Sequence, residues 1–229
     1  IIGINIAREL RRRHHGARVL LIEKELEYGQ HASGRNSGVL HAGFYYSADS
    51  LKARFTRVGN QSLTDYCDQK GLQINKCGKL VVAKGETDQV FLDELLDRGR
   101  ANGIDLVEVD EKEAKEIEPR IRTHRRALFS PTTSSVDPLE VLRSMAQDAR
   151  QEGVVLQSGT RYLRRDGDKV STTSGTVQPS YVVNAAGLYA DKIAREFNFS
   201  KHFRILPFKG IYLYSSETPG AMRTNVYPV

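Results

Sequence analysis

The sequence predicts an α/β fold, with one layer of parallel strands and a second, α+β layer whose strands run mostly antiparallel. Three observations carry this expectation. Ile2, Ile6 and Leu10 recur every four residues, and the helix they imply leads through Gly16 into ARVLLIEKE at 17–25, an apolar run ending in an acid. An uninterrupted apolar strand fits a parallel sheet covered on both faces. Helix-period and strand-period stretches then alternate along the chain, and Val177–Val183 opens into Asn184-Ala185-Ala186-Gly187 ahead of a short helix, the order of a strand–turn–helix unit.

Composition narrows the function classes. A chain of 229 residues has room for one or two domains with a buried core. Its 39% hydrophobic and 27% charged residues are ordinary for a globular protein. It contains no run of 18 apolar residues, so no membrane-spanning helix is expected. The apolar start leads into RRRHH at 11–15 rather than a signal-peptide cleavage site. Cys67 and Cys77 are too few for a disulfide framework or a zinc site. No metal centre is expected, and the setting is a reduced, cytoplasmic one, with a peripheral place at the inner membrane face left open. The net charge of +6 arises from 34 basic and 28 acidic residues that are interspersed, and without a recognition motif nucleic acid is not an expected partner.

Taken in order, the first helix and strand read as the back half of a dinucleotide-binding βαβ unit. Gly3 precedes Glu23 by about 20 residues, the separation between a glycine-rich turn and the acid that holds a ribose. Asp49–Lys70 is an amphipathic helix with Leu51, Phe55, Val58, Leu63 and Tyr66 inward, Asp49 or Ser50 as cap and Gly71 as stop. Leu72–Ala83 is strand-like around Cys77-Gly78. Thr87–Asn102 is a helix with Val90, Phe91, Leu95 and Leu96 inward, and Ile104–Val109 alternates as a strand does. Asp110–Glu118 is a short charged helix stopped by Pro119, and the arginine-rich Arg120–Arg126 reads as an exposed connection. Asp137-Pro138 starts a helix that uses Leu139, Leu142, Met145 and Ala149 and ends at Gly153. Val154–Ser158 is a strand, and Tyr162–Arg165 and Val170–Thr173 flank a hairpin turn at Asp166-Gly167-Asp168. Tyr189–Phe197 is a helix, and Ile205–Ser215 is a last strand interrupted by Pro207 and Gly210.

The stretch richest in chemistry is HASGRNSGVLHAGFYY at 31–46. Gly34, Gly38 and Gly43 admit close backbone approach. Ser33, Asn36 and Ser37 offer short hydrogen-bonding side chains, and His41 is a proton carrier near neutral pH. A glycine-rich surface loop with a satisfied histidine is the plainer alternative. Its position directly after half of a nucleotide-binding unit argues for the functional one.

In Gly3 to Glu23, SGRNSGVLHAGFYY (33–46), SLKARFTRVGN (50–60), CGKLVVA (77–83), SPTTSSVDP (130–138), VVNAAGLYAD (182–191) and PFKG (207–210), the chain resembles the D-amino-acid-oxidase-like superfamily of FAD-dependent oxidoreductases. NSGVLHAGFYY followed by SLKA is most similar to the branch that acts on L-2-hydroxyglutarate. The resemblance implies a Rossmann-like FAD-binding domain at 1–71 and 137–200, incomplete because its first strand and glycine turn lie outside this sequence. It implies a substrate domain at 72–136 and 201–229 whose remainder also lies outside. FAD is the implied cofactor. Gly3 packs the pyrophosphate-binding helix on the sheet, Glu23 holds the adenosine ribose with Lys24 beside it, and Ser33, Arg35, Asn36, Ser37 and Gly38 run along the pyrophosphate-to-isoalloxazine edge. Ala186 and Gly187 line the nucleotide end. His41 is the implied base for a hydroxyl proton, Lys209 the implied cation for a carboxylate, and Tyr45 and Tyr46 the implied pocket walls. The chain departs from the family at Lys209, where arginine is frequent, and in TTSSVDP.

The implied partner is a small dicarboxylate, with the electron acceptor (oxygen, quinone or a carrier) open. Three readings follow: oxidation of L-2-hydroxyglutarate to 2-oxoglutarate, an amine or amino-acid oxidase of the same fold, or a segment that binds no flavin. On the first, Val19–Ile22 belongs to a parallel sheet with an open edge beside it, and residues 72–83, 104–109 and 205–214 share the second layer.

Overall fold

The computed structural model describes residues 1–229 and comprises two units, Ile1–Asn36 with Pro138–Leu213 and Ser37–Asp137 with Tyr214–Val229. Helix α1 (Ile2–Arg13) ends in three arginines, which complement the negative end of its dipole, and strand β1 (Leu20–Ile22) follows. Strand β2 (Val39–Leu40) precedes helix α2 (Leu51–Lys70). The Ser50 hydroxyl caps α2 by accepting from the Ala53 N–H at 3.1 Å, and Gly71 closes it in the left-handed region. Strands β3 (Ile74–Asn75) and β4 (Lys79–Val82) lead, through one 3-10 turn, to helix α3 (Gln89–Ala101). Strand β5 (Val107–Asp110) runs into helix α4 (Glu111–Ile117), where Asp110 and Glu113 form a reciprocal capping box. Next come β6 (Arg126–Ser130), β7 (Ser134–Val136), helix α5 (Pro138–Gln151) and β8 (Val155–Gln157). The hairpin β9 (Tyr162–Asp166) and β10 (Lys169–Thr172), strand β11 (Gly175–Val177), helix α6 (Ala190–Glu196) and strand β12 (Asn225–Pro228) complete the chain. No helix is long and apolar enough to cross a membrane.

In the first unit β1 pairs in parallel with β8 alone, Leu20 opposite Val155, so β1 keeps the open edge that the sequence leads one to expect. Helices α1 and α5 pack together, with Ile4, Ala7, Leu142 and Ala149 among their buried residues, and are joined by an ion cluster that is buried at Arg8 and Asp148. Arg8 reaches Asp148 at 3.0 Å and Glu152 at 2.9 Å, and Arg12 reaches Glu152 at 2.6 Å. Strands β9, β10 and β11 form an antiparallel sheet.

The second unit is built on a four-stranded sheet ordered β12-β4-β6-β5, antiparallel except for the parallel β12–β4 pair. All four residues of β4 are buried, and alternation along the strand sorts them between two cores. Leu80 and Val82 join Val109, Ala114, Ile121 and Ala127. Val81, with Ala83 beyond the strand, joins Phe44, Leu92, Leu95, Ile104 and Leu128. The same alternation puts Lys79 on the second of these faces. A smaller antiparallel sheet has the order β2-β7-β3.

Several expectations give way. The unit boundaries fall at 36 and 213 rather than 71 and 200, because the segment after residue 36 pairs and packs within the second unit: β2 joins β7, and Asn60 of α2 donates to the Leu40 and Thr132 carbonyls. The strand expected over 177–183 ends at Val177, and 205–215 forms none. Neither stretch pairs with another strand, which leaves its N–H and C=O groups to water. Their apolar side chains, among them Tyr181, Phe208 and Leu213, are accordingly exposed. β6 and β12 take part in the second sheet instead. The arginine-rich connection is only partly exposed, since Ile121 and Thr123 are buried. On α2 the stripe Leu51, Phe55 and Val58 faces outward and Ala53 and Cys67 are buried. Here the helix backbone comes so near Gly43 (φ 108°) that a Cβ there would stand 3.3 Å from the Ala53 carbonyl oxygen and the Arg57 nitrogen. Only small residues fit such an approach. On α3 it is Leu92 and Leu95 that are buried, while Val90 and Phe91 are exposed.

Candidate active site

In the first unit, α1 leads into β1, and Glu23 follows the strand. Around these elements the structure gathers several of the residues singled out in the sequence. Ser33 Oγ lies 3.1 Å from the Ile1 nitrogen, at the start of α1. A Cβ at Gly3 would lie 3.3 Å from Ala185 Cβ and 3.6 Å from Leu21 Cδ1, so α1 rests against both β1 and the Asn184–Gly187 turn. That turn is held by Asn184, whose Oδ1 accepts from the Ala186 N–H (3.2 Å) and whose Nδ2 donates to the Ala190 carbonyl (2.8 Å). Ala186 is half-buried and Gly187 exposed at φ 55°. A half-buried acid at the end of the next strand and a close glycine contact are features of a dinucleotide site.

Other members of the predicted set are spent on structure or left in solvent. Lys24 pairs with Glu25 and lies 4.6 Å from the centre of the Tyr189 ring, and the Glu25 bond raises its pKa. Asn36 Nδ2 donates to the Ala32 and Ser33 carbonyls (3.0 and 3.1 Å), shaping its own loop. Arg35 and Ser37 are exposed, whereas Gly38 is buried and its carbonyl accepts from the Val136 N–H at 3.0 Å. Lys209 is exposed, on a stretch without strand structure and within the first unit. The expectation that a broken strand re-aims it toward a ligand falls with the strand.

His41 lies in the second unit, just after β2, half-buried and edge-on to Tyr227 with ring centres 5.8 Å apart. Its Nδ1 stands 3.5 Å from Nζ of Lys79, a residue to which the sequence reading gives no role. Lys79 is fully buried without a carboxylate partner. Its ammonium is boxed by the rings of Tyr45, Phe44 and Tyr227, whose centres lie at 4.3, 4.4 and 5.2 Å. Cation–π attraction in a desolvated site reaches about 2 kcal/mol, which only partly offsets burying an unpaired charge. Burial lowers the Lys79 pKa to about 7. His41 is shifted below its ordinary value too, by burial first and then by the Lys79 charge. Tyr45 stacks on Phe44 with ring centres 4.5 Å apart, and its buried hydroxyl has no hydrogen-bond partner. Burial, with Tyr227 and Tyr46 nearby, pushes its pKa up to about 12. Tyr46 lies outside this box and carries Lys52 over its ring at 4.2 Å. The site therefore pairs a neutral imidazole with a cation of adjustable charge. The sequence did hold a signal for Lys79: in the apolar run KLVVA it shares the phase of Val81 and Ala83, where a surface lysine has no place.

No group of histidine, cysteine, aspartate and glutamate side chains is arranged to hold a metal ion.

A family model described as DAO, FAD dependent oxidoreductase, matches residues 1–229. The mitochondrial L-2-hydroxyglutarate dehydrogenase of Nematostella vectensis is 35% identical across all of this chain and 54% of its own length. The L-2-hydroxyglutarate dehydrogenase of Escherichia coli O17:K52:H18 is 33% identical across all of this chain and 56% of its own. The chain thus spans about half the length of the curated relatives it matches. Among solved structures, L-α-glycerophosphate oxidase from Mycoplasma pneumoniae with FAD bound gives a TM-score of 0.74 at 26% identity, covering 85% of this chain and 54% of that one. L-Proline dehydrogenase from P. horikoshii gives 0.82 at 22% identity, covering 99% and 61%, a likeness of fold alone.

Proposed function

We propose, for a chain that belongs to the family of FAD-dependent oxidoreductases, that it oxidises L-2-hydroxyglutarate to 2-oxoglutarate with FAD as cofactor. The observation that carries this reading is the identity to L-2-hydroxyglutarate dehydrogenases along the whole chain, the His41 segment included. The close contact of Gly3 with Ala185 and Leu21, with Glu23 just after β1 and Ala186 and Gly187 in the adjoining turn, supports a cofactor role for the first unit. Bound FAD supplies the acceptor for the C2 hydride. His41 takes the hydroxyl proton, for which a neutral imidazole is needed, and its lowered pKa supports that state at neutral pH. Tyr45 walls the pocket. Lys209 keeps its assignment as a carboxylate anchor on resemblance alone. Both cysteines are free, which favours a reducing compartment, the cytoplasm.

Anaerobic flavin reduction in the full-length, FAD-loaded protein tests the reading. L-2-Hydroxyglutarate should bleach the flavin far faster than lactate or glycine, and the D-enantiomer should not. His41→Ala should slow reduction about 10²–10⁴-fold with FAD content unchanged. Bleaching by glycine or sarcosine with hydroxyglutarate inert would assign the chain to amine oxidation instead.

A further inference from the structure

We propose that Lys79 and His41 form a proton relay in which the charge on Lys79 selects the tautomer of His41, making Lys79 the positioning residue that decides whether His41 can act as a base. The geometry is the 3.5 Å approach of Lys79 Nζ to His41 Nδ1 inside an aromatic box that holds no carboxylate. An ammonium has three donors and no acceptor. Against it, a neutral imidazole turns the Nδ1 lone pair to Lys79 and carries its proton on Nε2, where it can donate but not accept. A neutral amine has a lone pair of its own. It then accepts from Nδ1–H, and Nε2 is left bare to receive a proton.

The titratable groups facing Lys79 are His41 and Tyr45, from the segment after β2, and Tyr227 from β12. On β6 its partner Ser130 is engaged with the Thr133 hydroxyl at 3.0 Å, and on β12 its partner Asn225 donates to the Gly78 carbonyl and Cys77 Sγ. Aromatic faces favour the ammonium and burial favours the amine. Burial brings the balance near neutrality, about 7, where a catalytic proton can change it.

In turnover the substrate O–H bond breaks as Nε2–H forms, and Nδ1–H breaks as the third Nζ–H forms. The C2 hydride, with its electron pair, goes to the flavin, which is reduced. The dyad ends one proton richer, as ammonium and Nε2–H imidazole, and must return that proton to solvent before the next cycle. This catalytic half rests on the hydroxy-acid reading above, whereas the tautomer switch does not.

Long-range 1H–15N spectra of the 15N-histidine-labelled protein between pH 5.5 and 9 read the switch directly, with His41 assigned through His41→Gln. Expected is an Nε2–H pattern at low pH crossing to Nδ1–H with a midpoint near 7. Lys79→Met should abolish the crossing, and Lys79→Arg should hold Nε2–H throughout. A single unchanging tautomer in the unaltered protein overturns the proposal without any variant having to fold, as does a crossing that persists in Lys79→Met. In the holoenzyme, flavin reduction should rise about tenfold per pH unit below the midpoint, and Lys79→Met should remove that limb. A tautomer crossing with hydroxyglutarate inert would leave the switch standing and reject the substrate. Bleaching by hydroxyglutarate with no crossing would do the reverse.

Discussion

Two buried cations, one in each unit, have been treated in opposite ways. Arg8 joins α1 to α5 and is met by Asp148 and Glu152. Lys79 lies in the most buried strand of the second unit and is met by three aromatic rings and an imidazole. A guanidinium keeps its proton at any ordinary pH, so it must be compensated and then serves as a fixed clamp. An amine can shed its charge, so the protein can bury it without an anion. Structural cations are paired, and a cation left unpaired is one whose charge is meant to change.

The largest expected effect is on the clamp. Arg8→Ala removes the guanidinium that meets Asp148 and Glu152, leaving Glu152 to Arg12, and should cost about 3–5 kcal/mol in urea unfolding. A loss below about 1 kcal/mol would show the cluster to be ornamental. An intermediate case sharpens the contrast. Glu118, fully buried, is held by backbone rather than by an ion pair: burial would raise its pKa, but the backbone N–H groups of Arg223, Arg120 and Thr224, with the Arg120 charge adding to them, hold it below the usual carboxylate range. Glu118→Gln should cost about 1–3 kcal/mol. Because the folded value is the lower one, this stabilisation is full above the unfolded value near 4.5 and fades as pH falls through the folded value. The acid limb of the stability curve should flatten in the variant.

Lys79→Met should change stability least, by under about 1.5 kcal/mol in alkaline solution. The signature is its pH dependence. The folded protein releases the Lys79 proton near 7, whereas the unfolded chain holds it to 10.5. Between these values the unfolded state binds more protons, so stability rises with pH across the window. The variant should lose that slope, and a slope that survives would mean Lys79 stays charged in the fold.

Local chemistry made much of this molecule readable in advance. Ser50, the Asp110–Glu113 box and Asp137-Pro138 each mark a helix start by backbone needs that lie within four residues, and Asp166-Gly167-Asp168 marks a hairpin likewise. The Gly3–Glu23 spacing indicated the helix and strand that now frame the α1 N-terminus. What escaped was non-local. β6 and β12 are strands because β4 lies between them, and 205–215 is not one because nothing does. Lys79 was hidden by its residue type, since a lysine reads as solvent-facing until the strand's phase is counted. The outward stripe on α2 misled for the complementary reason: the near approach of Gly43 rewards Ala53, which no hydrophobic pattern marks as a contact.

The pairing of β1 with β8 has a consequence during synthesis. Leu20 must wait for Val155, and residues 37–137 of the second unit are made in between. At about 5–20 residues per second, that delay is roughly 7–27 s on the ribosome. Strands β2 through β7 emerge within this interval with their mutual partners, while β1 still lacks β8. The nascent chain therefore passes through a period in which the inserted unit is nearly complete and the unit that encloses it has not closed. A chaperone that shields short apolar strands has its greatest leverage in that interval.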